Sequence, residues 1–160
     1  MNGQIDVQLA CDDDTIPQPD VIESWVLRAI EAAGQAADAE VSVRVVDSDE
    51  SQALNRQYRG MDKPTNVLSF PAGTVEGLPD DAPMLLGDIV VCASVVTAEA
   101  HEQGKAVADH WAHMLVHGTL HLLGYDHDTD SQAEEMETLE TRILAGQGLA
   151  DPYGALEQNC

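Results

Sequence analysis

The chain has 160 residues, which is typical of one domain, and 44% of them are hydrophobic, enough to form a core and to exclude global disorder. Aspartate and glutamate outnumber lysine and arginine by 29 to 7, giving a formal net charge of −22. This acidity argues against a surface that binds nucleic acid throughout, because lysine and arginine supply most of the affinity for phosphates. We expect a single domain over residues 1–160.

The first residues, MNGQIDVQLACDDD, lack the basic and apolar regions of a secretory signal. No apolar run in the chain approaches the roughly 20 residues of a membrane-spanning helix. Cys11, Cys92 and Cys160 share no metal-type spacing, and we expect them to be free thiols in a reducing compartment. These features predict a cytoplasmic protein.

Hydrophobic patterning predicts three strands and two helices in the first half of the chain. The strands are IDVQLAC (5–11), VSVRVVD (41–47) and NVLSF (66–70). The first helix has Gly34 as its stop and an apolar face of Val21, Ile22, Trp25, Val26, Ala29 and Ile30. Asp47 and Glu50 resemble a capping box that opens a second helix, which bears Leu54 and Tyr58 and ends near Gly60.

The second half of the chain is predicted to be mostly helical. The polar, Gly- and Pro-rich segment 72–83 is predicted to be an exposed loop, and LLGDIVV (85–91) to be a fourth strand. From Ser94 the pattern is helical with a break near Gly104, and the longest helix is predicted from about Ala106 to Leu123. Ser131 and Glu134 form a second capping box, which opens a last helix that buries Met136, Leu139, Ile143 and Leu144. Four strands followed by a helical third of the chain predict an α+β fold.

The segment HGTLHLLGYDH (117–127) has the spacing of a metal site. On a helix, His117 and His121 lie one turn apart on the same face. Gly124 can adopt the left-handed conformation that ends a helix, which would turn the chain back and bring His127 to the first two histidines. Three neutral imidazoles with a fourth position open to water are typical of a catalytic zinc site. We predict one zinc ion per chain, with nickel, copper or iron as alternatives.

The same spacing, H-x-x-x-H-x-x-G-x-x-H, occurs in metzincin peptidases. Those enzymes have a glutamate directly after the first histidine as general base, whereas this chain has Gly118. A metal-bound water can still reach a pKa of about 7, so hydrolysis of another substrate class is favoured. His113, one turn before His117, is a candidate for the missing base or for a hydrogen bond to the metal ligands, and His110 is a weaker one.

Beyond the histidines, four segments resemble the bacterial YbeY family of endoribonucleases, and they occur in the family's order. They are LNRQYRGMDKPTNVLSFP (54–71), LLGDIVV (85–91), HWAHMLVHGTLHLLGYDH (110–127) and EEMETLE (134–140). The resemblance covers most of residues 40–153 and is weakest over the N-terminal 35 or so. It implies a small four-stranded mixed sheet packed with about five helices, and a metal-binding helix in the C-terminal half.

The resemblance also implies a function: zinc-dependent endonucleolytic cleavage of single-stranded RNA in the cytoplasm. The substrate would be ribosomal RNA, in 16S 3′-end maturation and ribosome quality control. The small ribosomal subunit or ribosome-associated proteins would be partners. His117, His121 and His127 match the family's metal histidines, and Arg59 matches its functionally important arginine. Many members have aspartate where this chain has Asn66, so a role that needs a charge there stays open.

Arg59 belongs to a local basic cluster with Arg56 and Lys63 in an otherwise acidic chain. A guanidinium can offer a fork of donors to phosphate and stabilise the negative charge that develops during phosphodiester cleavage. Tyr58, Phe70 and Tyr125 are explained most simply as core or rim residues, and stacking on bases is the alternative for them.

Two other functions stay open. One is a ribosome-assembly factor with a chiefly structural zinc, whose acidic surface contacts basic ribosomal proteins; a closed fourth coordination position would favour it. The other is a metallopeptidase-like hydrolase, which cleavage of peptides would favour. For either RNA-related function, the acidity predicts weak RNA binding by the isolated protein and dependence on partners to present the substrate.

Overall fold

The computed structural model of the protein describes residues 4–11, 15–33, 39–71, 84–123, 125 and 129–145. Within these ranges the chain forms four strands and five helices. In chain order they are β1 (Gln4–Leu9), α1 (Pro19–Ala32), β2 (Ala39–Val46), α2 (Ser48–Arg59), β3 (Val67–Pro71), β4 (Met84–Cys92), α3 (Ala93–Gln103), α4 (Val107–Leu122) and α5 (Asp130–Ala145). Four predicted features lie outside the described residues, namely Gly34, the loop 72–83, Gly124 and His127.

The four strands form one sheet in the order β1-β2-β4-β3. β2 pairs in parallel with β1 and β4, and β3 pairs antiparallel with β4 at the edge of the sheet. This confirms the predicted α+β fold with a four-stranded mixed sheet and five helices. No helix among the described residues has the combination of length and apolar character that spanning a membrane requires.

Side chains of the central strands alternate between two differently covered faces. On one face Val43 and Ile89 belong to the main core, which includes residues of α1, α4 and α5. On the other face Val90 and Leu68 belong to a smaller cluster, against which Leu54 of α2 packs. The sheet therefore separates α2 from α4.

The predicted buried face of α1 is confirmed at five of its six positions, and Val21 is the exception. Ile22 and Val26 are fully buried, whereas Val21 is 41% exposed. Val21 lies in the first turn of the helix, at the flank of the apolar stripe that begins with Ile22.

The predicted cap of α2 is half formed. The Asp47 carboxylate accepts a hydrogen bond from the Glu50 backbone N–H at 2.9 Å, and the helix ends at Gly60 with φ +70°. The return bond of a capping box is replaced, because the Glu50 carboxylate accepts two hydrogen bonds from Arg44, at 2.6 and 3.1 Å. Glu50 thus ties α2 to β2.

The predicted capping box of Ser131 and Glu134 is wrong. α5 begins at Asp130, so Ser131 already lies inside the helix. The hydroxyl of Thr129 instead accepts a hydrogen bond from the Gln132 backbone N–H at 3.2 Å, and its carbonyl accepts one from the Ala133 N–H at 2.9 Å. The predicted buried residues of α5 are confirmed.

Candidate metal centre

α4 carries four histidines in one stripe, at positions 110, 113, 117 and 121. The ring centroids of successive histidines lie 6.1, 6.1 and 4.5 Å apart. His110 and His113 are 2% and 7% exposed, and His117 and His121 are partly exposed. The stripe therefore runs from the protein interior to a solvent-accessible end, which is where a substrate could reach it.

Gly118 sets the distance between α4 and the sheet. A Cβ atom at this position would lie 3.0 Å from a methyl group of Val67 and 3.1 Å from one of Ile89. The Ser69 hydroxyl also donates a hydrogen bond to the Gly118 carbonyl at 2.8 Å. A glutamate at position 118, as in the metzincins, would meet β3 and β4 and has no room. The structure therefore gives a packing reason for glycine in place of the metzincin glutamate at this position.

The structure brings His117 and His121 together as predicted. Their Nε2 atoms lie 3.1 Å apart. Two nitrogens bound at about 2.05 Å to one tetrahedral zinc ion are about 3.3 Å apart, so these two donors fit a shared metal ion. His127, the third predicted ligand, and Gly124, the predicted turn, lie outside the described residues. The three-histidine site stays a prediction at those positions.

Glu140 of α5 is a site residue that the sequence did not reveal. It is fully buried, and its two carboxylate oxygens lie 2.5 Å from His113 Nε2 and 3.2 Å from His117 Nδ1. Burial by itself would raise the pKa of Glu140, but hydrogen bonds from both histidines and their positive charge outweigh it and lower the pKa to about 2. An ionised carboxylate only accepts hydrogen bonds, so it places a proton on His117 Nδ1 and leaves the Nε2 lone pair for a metal.

His113 contacts the second carboxylate oxygen of Glu140, one helical turn before His117. Burial lowers the pKa of His113, although the hydrogen bond from its ring to Glu140 acts in the opposite direction. The side chains of His113, His117 and Glu140 each offer a ligand atom, and these atoms lie within 4.8 Å of one another. This set of possible ligands shares His117 with the His117–His121 pair. However, His113 Nε2 and His117 Nδ1 already form hydrogen bonds to the Glu140 carboxylate. The geometry therefore favours the Nε2 side of His117 for the metal and the Nδ1 side for Glu140.

One sequence signal could have identified Glu140. The buried residues of α5 recur at helical spacing, and a carboxylate interrupts this apolar stripe. A glutamate is almost never fully buried unless it has partners, so its position on this face indicates a partner in the core. Which residue that partner is depends on how α5 packs on α4.

His110 and Asn66 form a separate polar cluster with Glu99 of α3. His110 Nε2 lies 2.9 Å from one carboxylate oxygen of Glu99, and the Asn66 amide donates to both oxygens, at 3.0 and 3.2 Å. The hydrogen bond to His110 lowers the pKa of Glu99, burial opposes it, and the amide of Asn66 adds to the lowering. Asn66 thus donates hydrogen bonds to the Glu99 carboxylate, whereas an aspartate at position 66 would place a second negative charge beside it.

Arg59 lies in the last turn of α2 and is exposed. Within the described residues its guanidinium makes no hydrogen bond or ion pair. Since α2 and α4 cover opposite faces of the sheet, the cluster with Arg59 is presented on a different face from the histidines. The roles predicted for Arg59 and His113 in catalysis stay predictions.

The chain is similar to known proteins of one family over most of its length. The sequence model of the family described as "Endoribonuclease YbeY" matches residues 8–148. A protein of that name from Halorhodospira halophila is 60% identical over 137 residues, which are 86% of this chain and 88% of the relative. One from Alkalilimnicola ehrlichii is 55% identical over 143 residues, 89% of this chain and 86% of the relative. The solution structure of TM1509 from Thermotoga maritima aligns with a TM-score of 0.57 at 26% identity, covering 93% of this chain and 98% of that one.

Proposed function

Because this chain belongs to the YbeY endoribonuclease family, we propose that it is a zinc-dependent endoribonuclease that cleaves single-stranded RNA. The observation that supports this best is the pair of Nε2 atoms of His117 and His121, 3.1 Å apart and backed by the buried Glu140. Its proposed cellular substrate is ribosomal RNA, in 16S 3′-end maturation and ribosome quality control. Its proposed setting is the cytoplasm, with the small ribosomal subunit or ribosome-associated proteins as partners.

The proposed ligands of one zinc ion per chain are His117, His121 and His127. When bound, such an ion supplies Lewis acidity, which activates water as a nucleophile and polarises a phosphoryl oxygen. Glu140 accepts the Nδ1–H bond of His117 and so fixes the ring orientation and the tautomer that a metal needs. His113 holds Glu140 in place through the other carboxylate oxygen. We therefore propose a positioning role for His113 in place of the general base that the sequence suggested.

Arg59 is proposed to contact phosphate. Its exposed guanidinium has no ion pair among the described residues that a phosphate would have to displace. Because α2 and α4 cover opposite faces of the sheet, an RNA strand that contacts both passes around β3, the edge strand next to β4, and Arg59 contacts a phosphate that flanks the one at the metal.

The test combines metal analysis with cleavage of a single-stranded RNA, with and without chelator. We expect one zinc per chain in the wild type and loss of both metal and cleavage in His117→Ala and His121→Ala. The matched control is His101→Ala, an exposed histidine of α3 outside the stripe, which should keep both. Full cleavage by metal-depleted protein would overturn the proposal. Zinc retained without cleavage of any single-stranded RNA would favour a ribosome-assembly factor instead.

A further inference from the structure

The sheet face opposite the histidines holds a cleft of about 440 Å³ beside α2. This volume falls within the range of small-molecule sites in proteins. Glu50, Leu54 and Tyr58 line it from α2 at intervals of one helical turn, and Phe70 lines it from β3. The function proposed above uses none of these side chains.

Two aromatic rings form one wall of the cleft. Tyr58 and Phe70 pack edge to face, with centroids 4.9 Å apart and ring planes at 67°. Tyr58 nevertheless remains 60% exposed. Aromatic residues are only 4% of this chain, and an exposed tyrosine braced by a second ring is the kind of platform on which single-stranded nucleic acids stack their bases.

The polar groups of the cleft suit an uncharged ligand with N–H donors. Arg44 is neutralised by its two hydrogen bonds to Glu50, and a third nitrogen lies 3.3 Å from Gln8 Oε1. Three of the five N–H donors of the guanidinium are therefore already used, and its charge is balanced by Glu50. Asp88 lines the cleft with an exposed carboxylate, which can accept hydrogen bonds from an exocyclic amino group of a base.

The end of α2 that follows the cleft residue Tyr58 is basic, in contrast to the rest of the chain. Arg56, Arg59 and Lys63 lie in or just after the last turn of α2, next to Tyr58, and all three are exposed. They are three of the seven basic residues in a chain of net charge −22, and their side chains make no ion pair with the described residues. This basic end of α2 attracts phosphates and disfavours a cationic peptide.

We propose that this cleft binds one unpaired nucleobase of an RNA strand, stacked on Tyr58, while the basic end of α2 contacts the flanking phosphates. The base donates from its exocyclic amino group to Asp88, so cytosine is preferred over uracil, which presents a carbonyl oxygen at the same position. The proposal rests on the proposed function only in taking the RNA to be the enzyme's substrate.

The chain offers a single reporter for this cleft, because Phe70 is its only phenylalanine. Protein labelled with 4-fluorophenylalanine gives one ¹⁹F resonance, which is followed during titration with 2′-O-methyl pentacytidylate, pentauridylate and an abasic pentamer of equal charge. We expect pentacytidylate to shift the resonance most, pentauridylate less, and the abasic pentamer not at all.

Variants test the stacking and the hydrogen bond separately. Tyr58→Ala should weaken pentacytidylate binding by roughly five- to a hundredfold and leave binding of the abasic pentamer unchanged, whereas Tyr58→Phe, which keeps the ring, should stay within about twofold of wild type. Asp88→Asn should reduce the preference for pentacytidylate over pentauridylate. Circular dichroism melting verifies that each variant is folded.

Cleavage of single-stranded RNA is measured on the same preparations. Metal-dependent cleavage without a base-dependent shift of the Phe70 resonance overturns the nucleobase cleft and leaves the endoribonuclease function intact. A base-dependent shift without cleavage overturns the endoribonuclease function and leaves the cleft intact. A lysine- and arginine-rich peptide that shifts the resonance where pentacytidylate does not would assign the cleft to a basic protein segment and refute the proposal.

Discussion

At the scale of single residues, Glu140 links the core to the metal centre. It is fully buried between His113 and His117, where its charge is sustained by two hydrogen bonds. We predict that Glu140→Gln, which keeps the shape and removes the charge, weakens zinc affinity by about ten- to a hundredfold, because partners of metal ligands contribute on this scale. Competition with a chromogenic chelator measures the change.

The control for this substitution is Glu135→Gln on the exposed side of the same helix, which should bind zinc as the wild type does. Equal zinc affinity of Glu140→Gln and wild type would show that the carboxylate does not orient His117.

Gly118 supports a second residue-level prediction. Alanine there gains about 1 kcal/mol of helix propensity, but its Cβ would meet the methyl groups of Val67 and Ile89 at 3.0 and 3.1 Å. Both neighbours are β-branched and have stiff χ1 angles, and Ile89 is fully buried, so they yield little. We predict that overpacking wins and that Gly118→Ala destabilises the protein by about 1 kcal/mol net, as measured by urea denaturation.

A double mutant tests the cause of that loss. Val67→Ala removes the methyl group closest to the new Cβ, so Gly118→Ala should cost less in a Val67→Ala background than in the wild type. The same cost in both backgrounds would contradict the assigned contact.

At the scale of elements, Glu99 of α3 joins α4 through His110 and the start of β3 through Asn66. The pKa of Glu99 is lower in the folded protein than its ordinary value of 4.5. A depressed carboxyl pKa contributes stability at pH values above 4.5, and that contribution is lost as the pH falls toward the folded-state pKa. We predict that Glu99→Gln lowers stability at about pH 7 and flattens its decline between about pH 5 and 3, as read from urea midpoints.

Glu102→Gln is the matched control for this pH profile, since Glu102 is an exposed residue of the same helix. Its profile should follow that of the wild type. If the stability of Glu99→Gln fell with decreasing pH as steeply as that of the wild type, the pairing of Glu99 with His110 would not contribute to stability in acid.

The start of α5 supports a further element-level prediction, because the structure moves its cap from Ser131 to Thr129. Thr129→Ala should destabilise the protein by about 0.5–2 kcal/mol, whereas Ser131→Ala should have little effect. Thermal melting of the two variants side by side decides between the caps. A larger loss of stability in Ser131→Ala than in Thr129→Ala would support the capping box of Ser131 and Glu134 instead.

How much could be predicted from sequence differs between local and long-range features. His117 and His121 were predictable as neighbours because a four-residue interval on a helix fixes their proximity. The end of α2 at Gly60 and the break between α3 and α4 at Gly104 were predictable, because both glycines end helices with positive φ. Contacts across elements were not predictable. Glu140 is hydrogen-bonded to His117, which lies 23 residues earlier in the chain. Glu50 is hydrogen-bonded to Arg44 of β2 and does not cap its own helix.

At the scale of the whole molecule, the fold class followed from the pattern of elements, but the arrangement of the sheet did not. β2 and β4 lie at its centre, and each has buried apolar residues on both faces, so hydrophobic alternation alone does not say which helix covers which face. That assignment separates the basic end of α2 from the histidines of α4. It also explains how an acidic protein can present one local surface that is suited to RNA.

The charge of the whole molecule supports the last prediction. With a net charge of −22, the isolated protein should bind single-stranded RNA weakly, and only the local cluster of Arg56, Arg59 and Lys63 should release counterions. Three phosphate contacts on a single strand correspond to a slope of log K against log salt of about −2. Arg59→Gln should reduce that slope by about 0.7, whereas Arg28→Gln makes the same change of charge on α1 and should leave it unaltered. Fluorescence anisotropy across a salt series measures both slopes. Tight binding at physiological salt, or equal effects of the two substitutions, would show that the RNA contacts a surface other than the end of α2.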